Sequence, residues 1–171
     1  MKLFGLAGWS GSGKTTLLTR LIPELTARGY GVSTLKHAHH DFDVDQPGKD
    51  SYRHRAAGAT EVLVASANRW ALMHEHRGAH EPTLADLVSK LSPVDLVLVE
   101  GFKRDPIPKL EIWRAENGKA PLHPDDPTIV ALAADPLPVE APGHLRLFAL
   151  DAVADIATFI LAHVGLPPQA G

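Results

Sequence analysis

The sequence predicts an α/β domain with a mostly parallel central sheet and helices on both faces, giving three layers. Residues 1–36 read as a strand, a glycine-rich turn, an amphipathic helix and a second strand, which is the pattern of a βαβ unit. The predicted strand at 95–100 contains an unbroken apolar run at 96–99, as expected of a parallel strand covered on both faces. The length of 171 residues suits one domain, which we expect over residues 1–165, with a flexible tail at 166–171.

The first elements follow from periodicity and turn residues. A strand at 3–7 precedes a helix that the glycine-containing segment at 28–31 ends. Pro23 lies inside this helix and is expected to kink or weaken its last turns, because proline lacks an N–H group. The apolar face of the helix is made by Leu17, Leu18, Leu21, Ile22 and Leu25. The segments that follow are a strand at 32–36, a loop at 37–49 and a short helix at 50–57.

The remaining elements are short strands and two helices. Thr83 and Asp86 have the spacing of a capping box, which opens a helix that Ser92-Pro93 stops. Asp151 is expected to cap the last helix, and Gly165 to close it. The predicted strands are short runs between turn residues, at 61–65, 69–74, 95–100, 109–114 and 128–133, the first two forming a hairpin.

Composition excludes several classes of function. The 17 Lys and Arg are outnumbered by 20 Asp and Glu, so the chain has no basic field to bind nucleic acid or an anionic membrane. The absence of cysteine excludes disulfides, thiolate metal sites and a cysteine nucleophile. The apolar runs are far shorter than the roughly 20 residues of a membrane span. The N-terminus has no cleavable signal pattern, and we therefore expect a soluble, cytoplasmic protein.

A phosphate-binding loop follows the first strand. Residues 8–15, Gly-Trp-Ser-Gly-Ser-Gly-Lys-Thr, match G-x-x-x-x-G-K-[ST] at every fixed position, and they lie between a strand and an amphipathic helix. The glycines let backbone N–H groups point at phosphate oxygens, and the helix N-terminus adds a partial positive charge. Lys14 is expected to reach the β- and γ-phosphates, and the Thr15 hydroxyl to bind Mg²⁺. The predicted nucleotide-binding residues of this segment are Gly8, Ser10, Gly11, Ser12, Gly13, Lys14, Thr15 and Thr16.

Acidic residues at three other places are candidates for the metal and the base. Glu100 ends the buried strand at the carboxyl edge of the sheet, where ligands bind, and is predicted to serve the metal or the attacking water. In the loop at 37–49, at least one of Asp41 and Asp43 is expected to contact Mg²⁺ in its second coordination sphere, the alternative being a solvated acidic loop. Asp135 follows a strand where a carboxylate can accept N1–H and N2–H of guanine, although the Asn-Lys-x-Asp segment of GTPases is absent.

Two other functions stay open at this point. Seven histidines lie between residues 37 and 80, and imidazole suits zinc or nickel, so a nucleotide-dependent metal chaperone is one alternative. A small-molecule kinase on the same scaffold is the other, although the arginines are scattered rather than clustered as a lid.

Three further segments carry a resemblance to a known family. They are Leu-Lys-His-Ala-His-His-Asp at 35–41, Asp-Val-Asp-Gln-Pro-Gly-Lys-Asp-Ser at 43–51, and Val-Glu-Gly-Phe-Lys at 99–103. With the phosphate loop, they make the chain resemble the MobB family of molybdopterin-guanine dinucleotide biosynthesis adapter proteins, over about residues 2 to 135.

The resemblance implies a GTP- and Mg²⁺-dependent P-loop protein with weak intrinsic GTPase activity, usually a homodimer. It implies a role beside the nucleotidyltransferase that joins GMP to molybdopterin, with molybdopterin or its guanine dinucleotide as a candidate bound cofactor. In such a family Lys14 and Thr15 hold phosphates and Mg²⁺, and Glu100 serves the metal or the attacking water.

Overall fold

The computed structural model describes residues 1–38, 42–138, 143 and 145–169. They fall into two compact units, which we call the sheet unit (residues 1–37 and 88–171) and the hairpin unit (residues 38–87). The elements, in chain order, are β1 (Lys2–Ala7), α1 (Lys14–Ala27), β2 (Val32–Lys36), α2 (Asp50–Ala56), β3 (Glu61–Ala65), β4 (Trp70–His74), α3 (Leu84–Val88), β5 (Leu96–Glu100), β6 (Lys109–Arg114), a 3₁₀ turn (Ala115–Asn117), β7 (Ile129–Asp135), β8 (Arg146–Ala149) and α4 (Val153–Val164).

The sheet unit is built on six parallel strands in the order β2-β5-β1-β6-β7-β8. β5 lies between β2 and β1, and its apolar residues are buried on both faces. Leu96 and Leu98 face the larger core, while Val97 and Val99 point to the opposite side. The predicted α/β fold class and the covered central strand are confirmed.

The larger core lies between the sheet and the helices α1 and α4. Leu21 and Leu25 of α1 are fully buried there, on either side of Pro23. The helix continues past Pro23 to Ala27, so the expected weakening of its last turns is not observed. Burial of a leucine side chain stabilises by about 1.5–3 kcal/mol, and two such side chains offset the hydrogen bond that proline cannot make.

Several boundaries predicted for the second half of the chain differ from the structure. β8 was not predicted, although it extends the sheet at one edge. Helix α3 ends at Val88, before the predicted stop at Ser92. The cap position of α4 is Ala152 rather than Asp151, and the methyl side chain of Ala152 cannot accept a hydrogen bond. Gly165 adopts the left-handed conformation that closes α4, as predicted.

Residues after α4 contact the sheet unit. Leu166 packs against the larger core, and the Tyr30 hydroxyl donates a hydrogen bond to the carbonyl oxygen of Pro167. Within the described part of the chain, no helix is long and apolar enough to cross a membrane.

The hairpin unit contains α2 and the antiparallel pair β3–β4, which confirms the predicted hairpin. Opposite residues on one face of this pair are Leu63 with Leu72 and Ala65 with Trp70. The other face carries Val62, which is buried. At the start of α3, the Asp86 N–H donates to Thr83 Oγ1 and the Thr83 N–H to Asp86 Oδ2, which is the predicted capping box.

Candidate nucleotide-binding site

The phosphate loop joins β1 to α1 at the carboxyl edge of the sheet, and two of its glycines are required by its shape. At Gly8, with φ of 143°, a Cβ atom would lie 2.4 Å from the Ile112 carbonyl oxygen and 2.7 Å from Ser12 Oγ. Gly13 caps α1 in the left-handed conformation. Ser10, Gly11, Thr15 and Thr16 are exposed along the same segment. The positive φ angles at Gly8 and Gly13 give the backbone a tight curl immediately before the start of α1, as a phosphate-binding loop requires.

The Lys14 ammonium lies across the loop. Its Nζ donates to the carbonyl oxygens of Gly8 and Trp9, at 2.9 Å and 2.8 Å. Burial lowers the pKa of Lys14 below its ordinary value; Glu100 opposes this shift, whereas Lys103 and Lys36 add to it. An anion would favour the charged form, since opposite charges at short range stabilise each other. When a phosphate binds, the Lys14 ammonium can therefore donate to phosphate oxygens instead of the carbonyl oxygens of Gly8 and Trp9.

Ser12 supplies an unused hydrogen-bonding group in the same loop. The residue is 1% exposed, and its Oγ has no hydrogen-bond partner among the described residues. Buried polar atoms without partners are rare in folded proteins and are costly, by about 1–3 kcal/mol. A phosphate oxygen is an acceptor that this hydroxyl can use. The loop therefore contains an ammonium and a hydroxyl of the kind that bind phosphate oxygens.

Glu100 lies beside the loop, at the end of β5. Its side chain is 14% exposed, and Lys36 Nζ, on the register partner in β2, lies 3.9 Å from Glu100 Oε2. The chain turns away at Gly101, where a Cβ atom would lie only 2.6 Å from His37 Cβ. This close approach leaves no room for a side chain at the turn, and Glu100 lies near enough to Lys14 to oppose the lowering of the Lys14 pKa.

A cavity of about 590 Å³ lies on the other side of the loop. This volume is in the range of small-molecule sites. Its lining includes Gly13, Thr16, Arg20, Arg114, Asp135 and Leu137. Asp135, predicted as the base-reading residue, ends β7 here with a side chain that is 66% exposed. The cavity thus joins the helix start of the phosphate loop to the Asp135 carboxylate.

Arg114 is a site residue that the sequence reasoning missed. Its Nε donates to the Ser12 carbonyl oxygen at 3.3 Å, and its Nη1 lies 3.6 Å from Asp135 Oδ2 and 3.5 Å from Glu116 Oε1. A usable signal existed in the sequence, because Arg114 ends a predicted strand at the edge where ligands bind.

The segment between β6 and β7 supports the phosphate loop from outside. Trp9 Nε1 donates to the Ala120 carbonyl oxygen at 2.8 Å. The fully buried Glu111 carboxylate accepts the backbone N–H groups of Leu122 and His123, at 2.6 Å and 3.0 Å. Lys103 Nζ lies 4.9 Å from the centre of the Trp9 ring. Glu111 therefore holds the segment that anchors Trp9.

The acidic loop belongs to the hairpin unit. Asp41, like His39 and His40, lies outside the described residues. The Asp43 carboxylate accepts a hydrogen bond from Arg55 and another from the Asp45 N–H, and the pKa of Asp43 is lowered, chiefly by Arg55. A role of either aspartate in Mg²⁺ binding stays a prediction. Over residues 1–38, 42–138, 143 and 145–169, no three His, Asp or Glu side chains are grouped to hold a metal ion.

A parallel sheet with this loop between its first strand and first helix defines the class of α/β proteins with a P-loop-like fold. The model of the MobB family, described as molybdopterin guanine dinucleotide synthesis protein B, matches residues 3–135. The chain belongs to the MobB family.

Relatives and solved structures agree with this membership. The chain is 45% identical over 163 residues to the molybdopterin-guanine dinucleotide biosynthesis adapter protein of Escherichia coli K12, covering 93% of this chain and 91% of that protein. It is 44% identical to the adapter protein of the same name from Haemophilus influenzae, covering 92% and 86%. The crystal structure of Bacillus subtilis MobB is 25% identical, with a TM-score of 0.75 over 96% of this chain and 98% of that one.

Proposed function

We propose that this protein is a GTP-binding adapter in molybdopterin guanine dinucleotide biosynthesis, acting beside the nucleotidyltransferase that attaches GMP to molybdopterin. Family membership and the names of its relatives support the adapter role. The observation that carries the nucleotide-binding part is the phosphate loop, in which the buried Ser12 hydroxyl lacks a partner and Lys14 crosses the opening. Molybdopterin or its guanine dinucleotide is the candidate second ligand.

Each loop residue has a separate task in this proposal. The Lys14 ammonium binds β- and γ-phosphate oxygens, and Ser12 Oγ donates to a further phosphate oxygen. The Thr15 hydroxyl and Glu100 would hold Mg²⁺, which would screen the charge of the polyphosphate. Glu100 also orients the water that attacks the γ-phosphate. Hydrolysis is slow in this proposal, which suits an adapter that signals a bound state.

The base cavity favours guanine. Guanine presents two parallel N–H groups, and the two oxygens of the Asp135 carboxylate can accept both. Adenine presents an acceptor at N1, which a carboxylate repels. We therefore propose that Asp135 selects GTP over ATP.

Calorimetric titration of the metal-depleted protein with Mg²⁺-GTP and Mg²⁺-ATP tests this proposal. We expect tighter binding of GTP, and we expect Asp135→Asn to shift the preference from GTP to XTP, because an amide N–H can pair with the extra carbonyl of xanthine. Asp125→Asn, at an exposed aspartate of the same unit, is the matched control. A preference for ATP, with turnover that depends on an added acceptor, would instead favour a small-molecule kinase.

Glu100→Gln separates hydrolysis from binding. Removing the carboxylate charge should slow GTP hydrolysis by about 100-fold, the scale of a lost acid–base group, and should leave GTP affinity nearly unchanged. Single-turnover hydrolysis and calorimetry measure the two quantities. An unchanged hydrolysis rate would make Glu100 a structural residue.

We further propose that the protein is a homodimer that buries one face of its hairpin unit. On that face Leu63, Trp70 and Leu72 are 60%, 63% and 45% exposed. A two-stranded hairpin is marginally stable alone in water, and a second copy would cover its apolar side chains.

A further inference from the structure

We propose that Arg114 is a positioning residue for base selection, which holds the Asp135 carboxylate in the orientation that reads guanine. This inference rests on the proposed function, because it concerns the same base cavity. One guanidinium connects the two halves of the site. Its Nε donates to the Ser12 carbonyl oxygen at 3.3 Å, and its Nη1 lies 3.6 Å from Asp135 Oδ2.

The pairing of two strands places Arg114 beside Asp135. Arg114 and Asp135 are register partners at the carboxyl ends of the neighbouring strands β6 and β7. The Arg114 side chain is 29% exposed and lies against the helix start, because a Cβ atom on Gly13 would be 3.5 Å from its Nε. Arg114 is therefore held by the phosphate loop, and the Asp135 side chain, which is 66% exposed, lies within ion-pair distance of it.

The chemistry of the two groups suits this role. A guanidinium presents its N–H donors in a fixed fork, so Arg114 can hold the phosphate loop with Nε while its Nη1 attracts Asp135, whereas a lysine ammonium is a point charge that cannot make both contacts in this geometry. An ionised carboxylate has about four lone-pair sites, so the contact from Arg114 leaves acceptors for both N–H groups of guanine.

Titrations of three ligands distinguish positioning from a direct phosphate contact. Wild type, Arg114→Gln and Arg114→Lys are titrated with Mg²⁺-GTP, Mg²⁺-ATP and Mg²⁺-tripolyphosphate, which has no base. Arg28→Gln is the matched control, since its side chain is also 29% exposed and lies at the opposite end of α1. Thermal unfolding checks that each variant is folded. If Arg114→Gln does not fold, Arg114→Lys provides the test.

We expect Arg114→Gln to lower the ratio of GTP to ATP affinity about tenfold, the effect of one misplaced charge-assisted hydrogen bond, with tripolyphosphate affinity nearly unchanged. Arg114→Lys should keep tripolyphosphate affinity and still lose base selectivity, and Arg28→Gln should change neither. A parallel loss of all three ligands in Arg114→Gln would make Arg114 a phosphate contact and overturn the inference. The inference about Arg114 would be overturned, with the base assignment intact, by the following result. Wild type prefers GTP, Asp135→Asn does not, and Arg114→Gln keeps the wild-type ratio of GTP to ATP affinity. A wild type without GTP preference would overturn the base assignment and the inference together.

Discussion

The sheet unit and the hairpin unit differ in where they place their apolar side chains. Among the described residues, the buried apolar side chains come almost entirely from the sheet unit, and the hairpin unit contributes only Val62 and Leu84. The hairpin unit instead exposes large apolar side chains, with Phe42 at 74% and Val44 at 70%, besides those of its strands. One unit stabilises itself through its own core, and the other presents apolar surface.

Charged groups show the same division. The sheet unit brings Lys14, Glu100, Arg114 and Asp135 to one edge, around a loop with an unused hydroxyl. In the hairpin unit, Arg55 is already paired with Asp43 and Glu75. The sheet unit thus gathers charged groups around the phosphate loop, whereas the hairpin unit presents exposed apolar side chains. We expect mutations in the two units to have separable effects.

Lys14→Ala should have the largest effect and should be confined to nucleotide binding. It removes a charge-assisted contact of about 1.5–3 kcal/mol, so GTP affinity should fall about 10–100-fold. Calorimetry measures this loss, and sedimentation velocity should show unchanged self-association. Lys2→Ala, at the opposite end of β1, is the control. Unchanged affinity in the Lys14 variant would contradict the site assignment.

Leu72→Glu should affect the other unit. If a second copy covers the hairpin face, this substitution removes the burial of a leucine side chain, which is worth about 1.5–3 kcal/mol, and places a charge in the interface. The dissociation constant of the dimer should therefore rise at least about tenfold. Sedimentation velocity over a dilution series measures it, with GTP affinity expected to stay unchanged. Ala162→Glu places the same charge on an exposed position of α4 and should have no effect. Equal weakening by both variants would argue against the hairpin as the dimer surface.

Asp43→Asn should have the smallest effect, on the acid side of the stability profile. Arg55 lowers the folded-state pKa of Asp43, so this carboxylate stabilises the fold above its ordinary pKa of about 3.9 and loses that effect as pH falls through the lowered value. Wild type should therefore unfold at a higher temperature than the variant at neutral pH. The difference should begin to shrink as pH falls below about 4 and should vanish only below the lowered pKa. Thermal unfolding between pH 3 and 7 checks this, with Asp50→Asn as an exposed control in the same unit. A difference that does not depend on pH would rule out the ion pair as its cause.

Sequence reasoning succeeded where local pattern and tertiary environment agree. The βαβ start, the covered strand β5 and the capping box at Thr83 all have signals within a few residues, and the structure confirms them. The phosphate loop is recognisable for the same reason, because its glycines are needed by backbone geometry that the motif itself encodes.

The features that were missed depend on contacts between distant segments. β8 has only four residues, Arg146–Ala149, with no alternation to mark them, and it exists because β7 offers an open edge. Helix α4 starts after a turn in which the Ala152 N–H donates to the Ala149 carbonyl oxygen. No side chain caps this helix start, so the sequence carries no local signal for it. Arg114 gains its place in the site only when β6 and β7 pair and bring Asp135 alongside.

The contacts of Trp9 give the protein a built-in optical signal. Its indole is 36% exposed within the phosphate loop, its N–H is fixed to Ala120, and the Lys103 ammonium lies over the ring. Indole emission is sensitive to a nearby charge, so a phosphate that draws Lys103 away would change the intrinsic fluorescence of Trp9. The fluorescence of Trp70, on the exposed hairpin face, would change if a second copy of the chain covered its side chain. The third tryptophan is Trp113, so replacing it together with one of these two by phenylalanine would leave the other as a label-free reporter of occupancy in its own unit.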